Sequence, residues 1–362
     1  RKTMPGFGVQ GILLEQNKEP ALSREIKKLK GCDECEQRLE KPVSSEPGLL
    51  APYEIVMIAR EAKIIDESDG RRLWRKLAQA ARESISGVVI DAMDDEPYLS
   101  SQLGPALWMQ DQLSEAIGLV KRAVGANKVQ IEIYKNLLDV DIKIPASIGG
   151  NRVERIGGTY PAELRARWHS SRKNTLVIGA GAMIHLWRAA YLGLVQTTCF
   201  VTVAGDCVAN PGNYEVPIGM SVMRVAEQVG LIADPKRMVA GGSMTGFGLT
   251  DPERVMITPT TRGVLAFAQE FKDMGYTCIG CGRCADVCPE GLSPFFIYKA
   301  MKSKRRERLE LFDADLCTGC GTCSYVCPAK LDLAQIVGAC GRLVRKQNET
   351  VPERTKFSAK SE

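Results

Sequence analysis

Cysteines are the residues of this chain whose number and spacing point most clearly to chemistry. The sequence has 362 residues and 13 cysteines, and eight of these cysteines lie between Cys278 and Cys327. Residues 278–292 read CIGCGRCADVCPEGL and residues 317–331 read CTGCGTCSYVCPAKL, so this segment contains an internal repeat. A disulfide scaffold would be short and rich in cysteine throughout, whereas most of this chain is poor in cysteine. The pattern therefore indicates a metal-binding segment.

The spacing within each copy of the repeat indicates which metal group is bound. Both copies read C-x-x-C-x-x-C-x-x-x-C-P, the spacing with which bacterial ferredoxins hold [4Fe–4S] clusters. Three thiolates two residues apart wrap around one cluster, while the fourth lies too far along its own loop and serves the other cluster. Gly282 and Gly321 are expected to let backbone amides approach the sulfides. The predicted ligands are Cys278, Cys281, Cys284 and Cys327 for the first cluster, and Cys317, Cys320, Cys323 and Cys288 for the second.

Zinc is the main alternative for the repeat, because C-x-x-C pairs also bind zinc. A zinc site needs two such pairs, which leaves the third cysteine and the C-P of each copy without a role. A histidine-rich metal site is excluded, since the chain has only His169 and His185. A separate C-x-x-C at Cys32 and Cys35 is a candidate redox dithiol, half metal site or surface pair, although the neighbouring acids oppose an activated thiolate.

A basic segment, residues 299–308, follows the first copy of the repeat. Its basic residues are Lys299, Lys302, Lys304, Arg305, Arg306 and Arg308, against the single acid Glu307. We expect either a solvated helix face or a docking patch for an acidic redox carrier such as ferredoxin or flavodoxin. Nucleic acid is not an expected partner, because no aromatic residues are interleaved with the basic ones and the net charge of the chain is only +5.

Helix and strand patterns alternate through the first half of the chain. Residues 109–126 are predicted as a helix and residues 128–134 as a strand, so an α/β layer with parallel strands is expected. The glycine-rich segment 146–165 is predicted as a loop. Gly179 and Gly181 begin a partial G-x-G after a predicted strand, but the third glycine position holds another residue, so this is weak evidence for a dinucleotide site.

The second half of the chain shows a different order of elements. Residues 199–242 read as two strands, a helix and a return strand, which is the plan of a β-grasp domain. Residues 263–275 are predicted as a helix that leads into the first cysteine loop, and residues 292–312 as a helix between the two copies.

Several segments resemble the RnfC-like family, which includes the C subunit of the Rnf electron-transport complex, the cobalamin reductase of propanediol utilisation and the RnfC-like protein of proline reduction. Residues 88–99, VVIDAMDDEPYL, are similar to the family's NGAECEPYL segment, and residues 200–220 look like the opening of its soluble-ligand-binding β-grasp (SLBB) domain. Residues 238–249, MVAGGSMTGFGL, are similar to its GGPMMG turn, and the cysteine repeat resembles its dicluster ferredoxin. The resemblance runs from about Tyr53 to Leu343.

This resemblance implies a fold of class α/β plus α+β. It consists of a Rossmann-like domain related to flavin and NADH domains, an SLBB β-grasp domain and a C-terminal bacterial dicluster ferredoxin domain. The expected boundaries are an N-terminal extension over 1–52, the α/β domain over 53–195, the β-grasp domain over 196–255, the ferredoxin domain over 256–342 and a polar tail over 343–362.

One segment departs from the family. Its members carry a glycine-rich loop, similar to GGAGFPTHVK, whose backbone amides receive flavin and dinucleotide phosphates. At that position this chain reads IIDESDGRRLWRKL over 64–77, with Asp66, Glu67 and Asp69 in place of glycines. Carboxylates there would repel phosphate, and the lost glycines remove the close backbone approach. We therefore expect FMN and NAD(H) binding to be lost, although two following arginines could rescue a phosphate site.

The sequence thus predicts an electron-transfer subunit that relays electrons through two [4Fe–4S] clusters between redox protein subunits of a larger oxidoreductase complex. One alternative is an FMN-dependent NADH oxidoreductase or cobalamin reductase with an atypical loop. Another is a module that binds a corrinoid or other soluble ligand. No membrane span is evident, so peripheral membrane association would come only through partners. Because exposed clusters are damaged by oxygen, a reducing cytoplasm is expected.

Overall fold

The computed structural model describes residues 25–40, 46–135, 144–172, 174–269 and 276–350. These residues form two compact units, one from 25 to 269 and one from 276 to 350. The larger unit contains two β-sheets with helices packed against them, and the smaller unit is built from helices and loops. No helix in these ranges is long and apolar enough to cross a membrane.

Strands and helices alternate through the first part of the larger unit. Its strands are β1 (Lys27–Lys28), β2 (Gly87–Asp91), β3 (Val129–Tyr134), β4 (Ser147–Ile148), β5 (Asn151–Ile156), β6 (Thr175–Gly179), β7 (Thr198–Ala204), β8 (Gly212–Pro217), β9 (Arg237–Ala240), β10 (Phe247–Leu249) and β11 (Gly263–Phe267). Its α-helices are α1 (Pro52–Glu61), α2 (Leu73–Arg82), α3 (Leu103–Trp108), α4 (Gln110–Val124), α5 (Ala162–Arg172), α6 (Ala180–Trp187) and α7 (Val222–Val229).

The first sheet has the strand order β4-β5-β3-β2-β6, and β5, β3, β2 and β6 run parallel. All five residues of β2 are buried, as expected for an inner parallel strand that is covered on both faces. Helix α4 buries Leu113, Ile117 and Val124 on one face, and Gly125 ends it with a left-handed backbone. The prediction of an α/β layer with parallel strands is confirmed.

The second sheet has the order β1-β8-β7-β11-β9-β10. Strand β7 pairs antiparallel with β8 and parallel with β11, so the sheet is mixed. Helix α7 follows Ser221, whose side chain accepts a hydrogen bond from the Arg224 N–H at 3.3 Å. Its residues Val222, Val225 and Val229 join the core of this sheet. A single helix across a small mixed sheet is the β-grasp plan that the sequence predicted.

Two predictions for the larger unit are wrong. Residues 263–267, predicted as part of a helix, form β11 between β7 and β9, and all five are buried. Five consecutive apolar residues fit a buried strand as well as a helix, so periodicity could not separate the two. Within the predicted loop 146–165, β5 extends the parallel sheet beside β3. Residues 270–275 lie outside the described ranges, and we propose that the ferredoxin domain begins after residue 269 rather than at 256.

The smaller unit repeats one pattern twice, a cysteine loop followed by a short helix and a longer helix. Its helices are α8 (Arg283–Asp286), α9 (Pro294–Lys302), α10 (Arg308–Leu311), α11 (Thr322–Tyr325) and α12 (Leu333–Thr350). Helices α9 and α12 share one apolar core that contains Ile297 and Val337. The predicted helix over 292–312 breaks at Lys304, whose φ is +58°. The predicted polar tail begins inside α12, and its residues 351–362 lie outside the described ranges.

Candidate iron–sulfur centres

The first cavity of the smaller unit is lined by the four thiols assigned to the first cluster. Cys278, Cys281 and Cys284 come from the first copy of the repeat, and Cys327 comes from the second copy. The cavity has a volume of about 210 Å³, and Phe295 forms part of its apolar wall. Burial raises the pKa of Cys284, and the nearby Cys327 thiol adds to the shift. The structure therefore brings three cysteines of one copy together with one of the other.

The second cavity gathers the remaining four cysteines of the repeat. Cys317, Cys320 and Cys323 come from the second copy and Cys288 from the first, around a volume of about 20 Å³. Burial raises the pKa of Cys323 to about 12, and the thiols of Cys320 and Cys317 add to the shift. Burial also raises the pKa of Cys288, again with a contribution from Cys320. Because metal ligation requires thiolates, binding of a cationic metal group here would release protons.

Glycines shape both cysteine loops. Gly280 and Gly282 in the first loop, and Gly319 and Gly321 in the second, have φ between +69° and +81°. This left-handed region costs other residues roughly 1–2 kcal/mol, which explains the glycines at matching positions. A Cβ at Gly282 would meet no atom within 4 Å, so conformation rather than close packing requires this glycine. The Gly280 N–H donates to Sγ of Cys278 at 3.4 Å, which directs a backbone amide toward a sulfur.

The arrangement of the thiols fits a cluster better than a single ion. Across the described ranges, no three histidine, cysteine, aspartate or glutamate side chains form a group that could hold one metal ion. Zinc would need its four sulfurs within about 2.3 Å of one point. A cube does not need such convergence, because each of its four irons takes a different thiolate. The zinc alternative gains no support from this geometry.

The two cavities lie side by side in the smaller unit. Cys284 of the first cavity and Cys323 of the second pack against the same small apolar cluster, which contains Cys327, Ala329 and Leu333. This shared wall holds the two sites close together.

The separate C-x-x-C lies in the larger unit, against the second sheet. Cys32 is 5% exposed, and its thiol donates to the carbonyl oxygen of Glu215 at 3.2 Å. The Cys35 thiol donates to the carbonyl oxygen of Cys32 at 3.2 Å. Burial raises the pKa of Cys32 to about 12, and Glu215 and Cys35 add to the shift. Both thiols are bonded to the backbone, and the raised pKa opposes an activated thiolate at Cys32.

The segment that replaces the family's glycine loop is held by its own charges. Asp66 is fully buried, and Lys76 of α2 forms ion pairs with Asp66 at 2.5 Å and with Asp69 at 2.8 Å. The N–H of Gly179, at the end of β6, donates to the Asp66 carboxylate at 3.1 Å. The acidic residues are therefore folded onto the carboxyl edge of the first sheet.

Glu67 lies at the N-terminus of α6. Its carboxyl group accepts a hydrogen bond from the Gly181 N–H at 2.7 Å. Burial and the neighbouring Asp66 raise the pKa of Glu67 to about 8. A helix N-terminus after a parallel strand is a common phosphate site. A Cβ at Gly179 would clash with the Glu67 carboxyl group, so this group fills the space beside the partial G-x-G.

Two arginines that no sequence motif predicts bind the other acids at this edge. Arg167 of α5 pairs with Asp91 at 2.8 Å and with Glu163. Arg262, just before β11, pairs with Asp94 at 2.7 Å and with Glu163 at 2.8 Å. No spacing pattern reveals these pairs, because the fold brings their partners together from distant segments. The acids of the chain itself thus neutralise the positive charges of Arg167 and Arg262.

Glu96 joins two of the segments that carry the family resemblance. Its carboxylate accepts hydrogen bonds from the N–H groups of Met244 at 2.9 Å and Thr245 at 3.1 Å. A Cβ at Gly242 would clash with the same carboxylate, which explains the glycine in the GGSMTG turn. The EPYL segment and this turn are therefore linked by hydrogen bonds within the larger unit.

Two family models match the chain. A 4Fe-4S dicluster domain matches residues 277–331, which contain all eight cysteines of the repeat. An SLBB domain matches residues 200–248, which extend from β7 into β10. The expected ferredoxin and SLBB domains are confirmed.

The chain is also similar to C subunits of ion-translocating complexes. It is 30% identical over 244 residues to the C subunit of the ion-translocating oxidoreductase complex of Rhodobacter capsulatus, which covers 61% of this chain and 46% of that protein. It is 25% identical over 243 residues to the C subunit of the Na⁺-translocating ferredoxin:NAD⁺ oxidoreductase complex of Acetobacterium woodii, which covers 61% of this chain and 54% of that protein. The chain thus spans about half the length of these curated relatives. The resemblance to the RnfC-like family is confirmed.

A solved structure shares the fold. The NAD⁺-reducing [NiFe]-hydrogenase in the air-oxidised state matches with a TM-score of 0.53 at 15% identity, over 82% of this chain and 61% of that chain. At this identity the likeness concerns the fold alone. It agrees with the expected combination of α/β, β-grasp and ferredoxin domains.

Proposed function

We propose that this chain, which is similar to RnfC-like proteins over 61% of its length, is an iron–sulfur electron-transfer subunit. It carries two [4Fe–4S] clusters and relays electrons between redox protein subunits of a larger oxidoreductase complex. One observation carries this proposal. The eight cysteines of the repeat are gathered into two adjoining cavities, each with three thiols of one copy and one of the other. This is the ligand pattern of two-cluster ferredoxins.

The chain's part in the relay is to hold the clusters and set their surroundings. Cys278, Cys281, Cys284 and Cys327 would hold the first cluster, and Cys288, Cys317, Cys320 and Cys323 the second. Each cluster, when bound, supplies a one-electron carrier. The protein contributes four thiolates to each, apolar walls that limit water, and backbone amides such as that of Gly280. Burial and hydrogen bonds to sulfur tune the reduction potential.

We also propose that the chain binds neither FMN nor NAD(H). The Glu67 carboxyl group lies on the amide of Gly181 at the N-terminus of α6, where a phosphate would otherwise approach. The cationic side chains of Lys76, Arg167 and Arg262 are paired with acids of the chain. A phosphate would have to break these pairs and would then face the uncovered carboxylates. The α/β domain then serves as a scaffold for the other parts of the chain.

The proposed partners are redox protein subunits, with an acidic carrier such as ferredoxin or flavodoxin among them. All six basic side chains of the segment 299–308 are exposed, which supports an electrostatic contact. We propose a cytoplasmic location, with peripheral attachment to a membrane only through partner subunits.

An anaerobic mixing experiment tests the relay. We expect a reduced bacterial ferredoxin to bleach the visible absorption of the full chain, and an oxidised viologen to restore it, with no flavin in the sample. A chain that is not reduced by any one-electron donor would contradict the proposal. Reduction by NADH that depends on added FMN would favour the NADH oxidoreductase instead. A spectral shift on titration with cobalamin would favour the ligand-binding module.

A further inference from the structure

The two cysteine loops share a sequence pattern but differ in exposure. In the first loop Ile279 is 70% exposed, and residues 280–283 are all exposed. In the second loop the matching residues Gly321 and Thr322 are buried. The two cavities also differ in volume, which is about 210 Å³ for the first and about 20 Å³ for the second. Two sites with the same set of ligands therefore differ in their access to a partner.

Helix α12 lies against the start of the second loop, at Ala314 and Cys317. It is 18 residues long, whereas α9, its counterpart after the first copy, has only nine. Gly341 approaches the second loop so closely that a Cβ would lie 2.5 Å from the carbonyl oxygen of Ala314. One turn later, Arg345 donates to the carbonyl oxygen of Cys317 at 3.4 Å. Arg345 lies beyond the point where α9 ends, so the first loop has no equivalent of this contact.

An aromatic surface connects the first cavity to the basic segment. Phe295 and Phe296 line the cavity, and Phe296 is 54% exposed. Phe295, Tyr298 and Lys302 follow one face of α9, because they are three and four residues apart. The ring centroids of Phe295 and Tyr298 are 6.5 Å apart, and Nζ of Lys302 lies 5.7 Å from the Tyr298 ring. Tyr298 and Cys284 pack against the same apolar cluster. This face of α9 therefore runs from the wall of the first cavity to the basic segment.

The charges of the basic segment are available to a partner. All six basic side chains are exposed. Within the described part of the chain, none of them forms an ion pair. An exposed apolar centre beside a charged rim is the usual composition of a transient protein interface, and charge complementarity selects a partner of opposite sign.

On the premise of the proposed function, we infer that the first cavity is the electron port of this chain and that it docks a small acidic electron-carrier protein. Ile279 and Phe296 provide the apolar contact, and the basic segment provides the charged rim. The second site is the inner one, and it exchanges electrons with the carrier through the first.

The duplicated loops offer a matched pair of variants that test this inference. Ile279 and Thr318 occupy the same position in the two copies, and both are exposed. A glutamate at either position adds the same charge without disturbing a core. We expect Ile279→Glu to slow reduction of the clusters by a prereduced acidic bacterial ferredoxin by about tenfold, because it repels the carrier at the contact. Thr318→Glu should change that rate by less than about twofold, and dithionite, a small reductant, should reduce both variants as it does the wild type.

A second pair of variants tests the charged rim. The double variant Lys302→Glu/Arg305→Glu should slow the same reaction and remove most of its dependence on ionic strength. Lys330→Glu, an exposed residue of the second copy, should change neither. Equal rates for all variants and the wild type would overturn the inference, and so would a slower rate for Thr318→Glu alone.

Iron content and reduction by dithionite, measured first, separate failure of the inference from failure of the proposed function. A wild-type chain without clusters contradicts the proposed function. If the clusters are intact and Ile279→Glu does not change the rate of reduction by ferredoxin, only the assignment of the first cavity as the electron port is contradicted.

Discussion

At the scale of single residues, the fourth cysteine of each copy distinguishes crossed ligation from two independent sites. Cys327 lies with Cys284, although the two belong to different copies, and Cys288 lies with Cys323. The spacing motif could predict this grouping because it limits how far each loop reaches.

Serine variants test the crossing. We expect Cys327→Ser and Cys284→Ser to alter the same cluster, and Cys323→Ser to alter the other. The measurement is the EPR spectrum of the reduced protein with its iron content, each variant losing up to four irons or leaving a three-iron remnant. Cys340→Ser is the control, because Cys340 is fully buried and lines neither cavity, so iron should stay complete. If Cys327→Ser and Cys323→Ser altered the same cluster, ligation would not be crossed.

Other residues of the candidate sites could not be found from spacing. Arg167 and Arg262 bind acids that are remote in sequence, and only the fold brings these together. The sequence shows that Glu67 stands where the family has a glycine. It does not show that the Glu67 carboxyl group accepts a hydrogen bond from the Gly181 amide. A local pattern predicts a local loop, but an ion-pair network depends on the tertiary arrangement.

At the scale of elements, α12 is the longer of the two helices that follow the cysteine loops, and it contacts the second loop. Residues 343–350 of this helix were predicted as the start of a polar tail, because the apolar periodicity fades toward residue 350 while the helix continues. The helix at 109–126 could be predicted, since it has both a long apolar face and a glycine stop. The strand at 263–267 could not, because a short apolar run carries no period.

The close approach of α12 to the second loop predicts a contrast between two glycines of the same helix. A Cβ at Gly341 would lie 2.5 Å from the Ala314 carbonyl oxygen and 3.5 Å from Cβ of Cys317. Gly341→Ala should therefore destabilise the protein by about 1–3 kcal/mol and lower the occupancy of the second cluster. At Gly338 the nearest atom is a guanidinium nitrogen of Arg342 at 3.7 Å, so Gly338→Ala should be neutral or stabilising by up to about 1 kcal/mol.

Urea unfolding of the two variants measures this contrast, with iron content as the second readout. If Gly341→Ala were as stable as Gly338→Ala and kept its full iron content, the close approach of α12 to Ala314 and Cys317 would be contradicted.

At the scale of the whole molecule, the order of domains was predictable because each has its own local signature. These signatures are alternating helices and strands, a β-grasp pattern and a cysteine repeat. The acids and ion pairs that cover the carboxyl edge of the first sheet were only partly predictable. The acids over 64–77 predict the loss of a phosphate site, but no sequence pattern predicts that Arg262, from the segment just before β11, pairs with Asp94 at this edge.

The acids and ion pairs at the carboxyl edge of the first sheet predict that the full chain binds neither FMN nor NADH. Isothermal titration with FMN and with NADH should give no binding at micromolar concentrations, and NADH should leave the clusters oxidised. Dithionite is the control and should reduce them. Tight FMN binding together with cluster reduction by NADH would contradict this prediction, because the ion pairs of Lys76, Arg167 and Arg262 would then have to break to admit a phosphate.

The most direct test of the central claim is the iron and acid-labile sulfide content of the anaerobically prepared full chain, combined with EPR of its reduced form. Two crossed [4Fe–4S] sites predict about eight irons and about eight sulfides per chain, with a spectrum broadened by magnetic coupling between the clusters. Four irons per chain, or zinc without sulfide, would contradict the account.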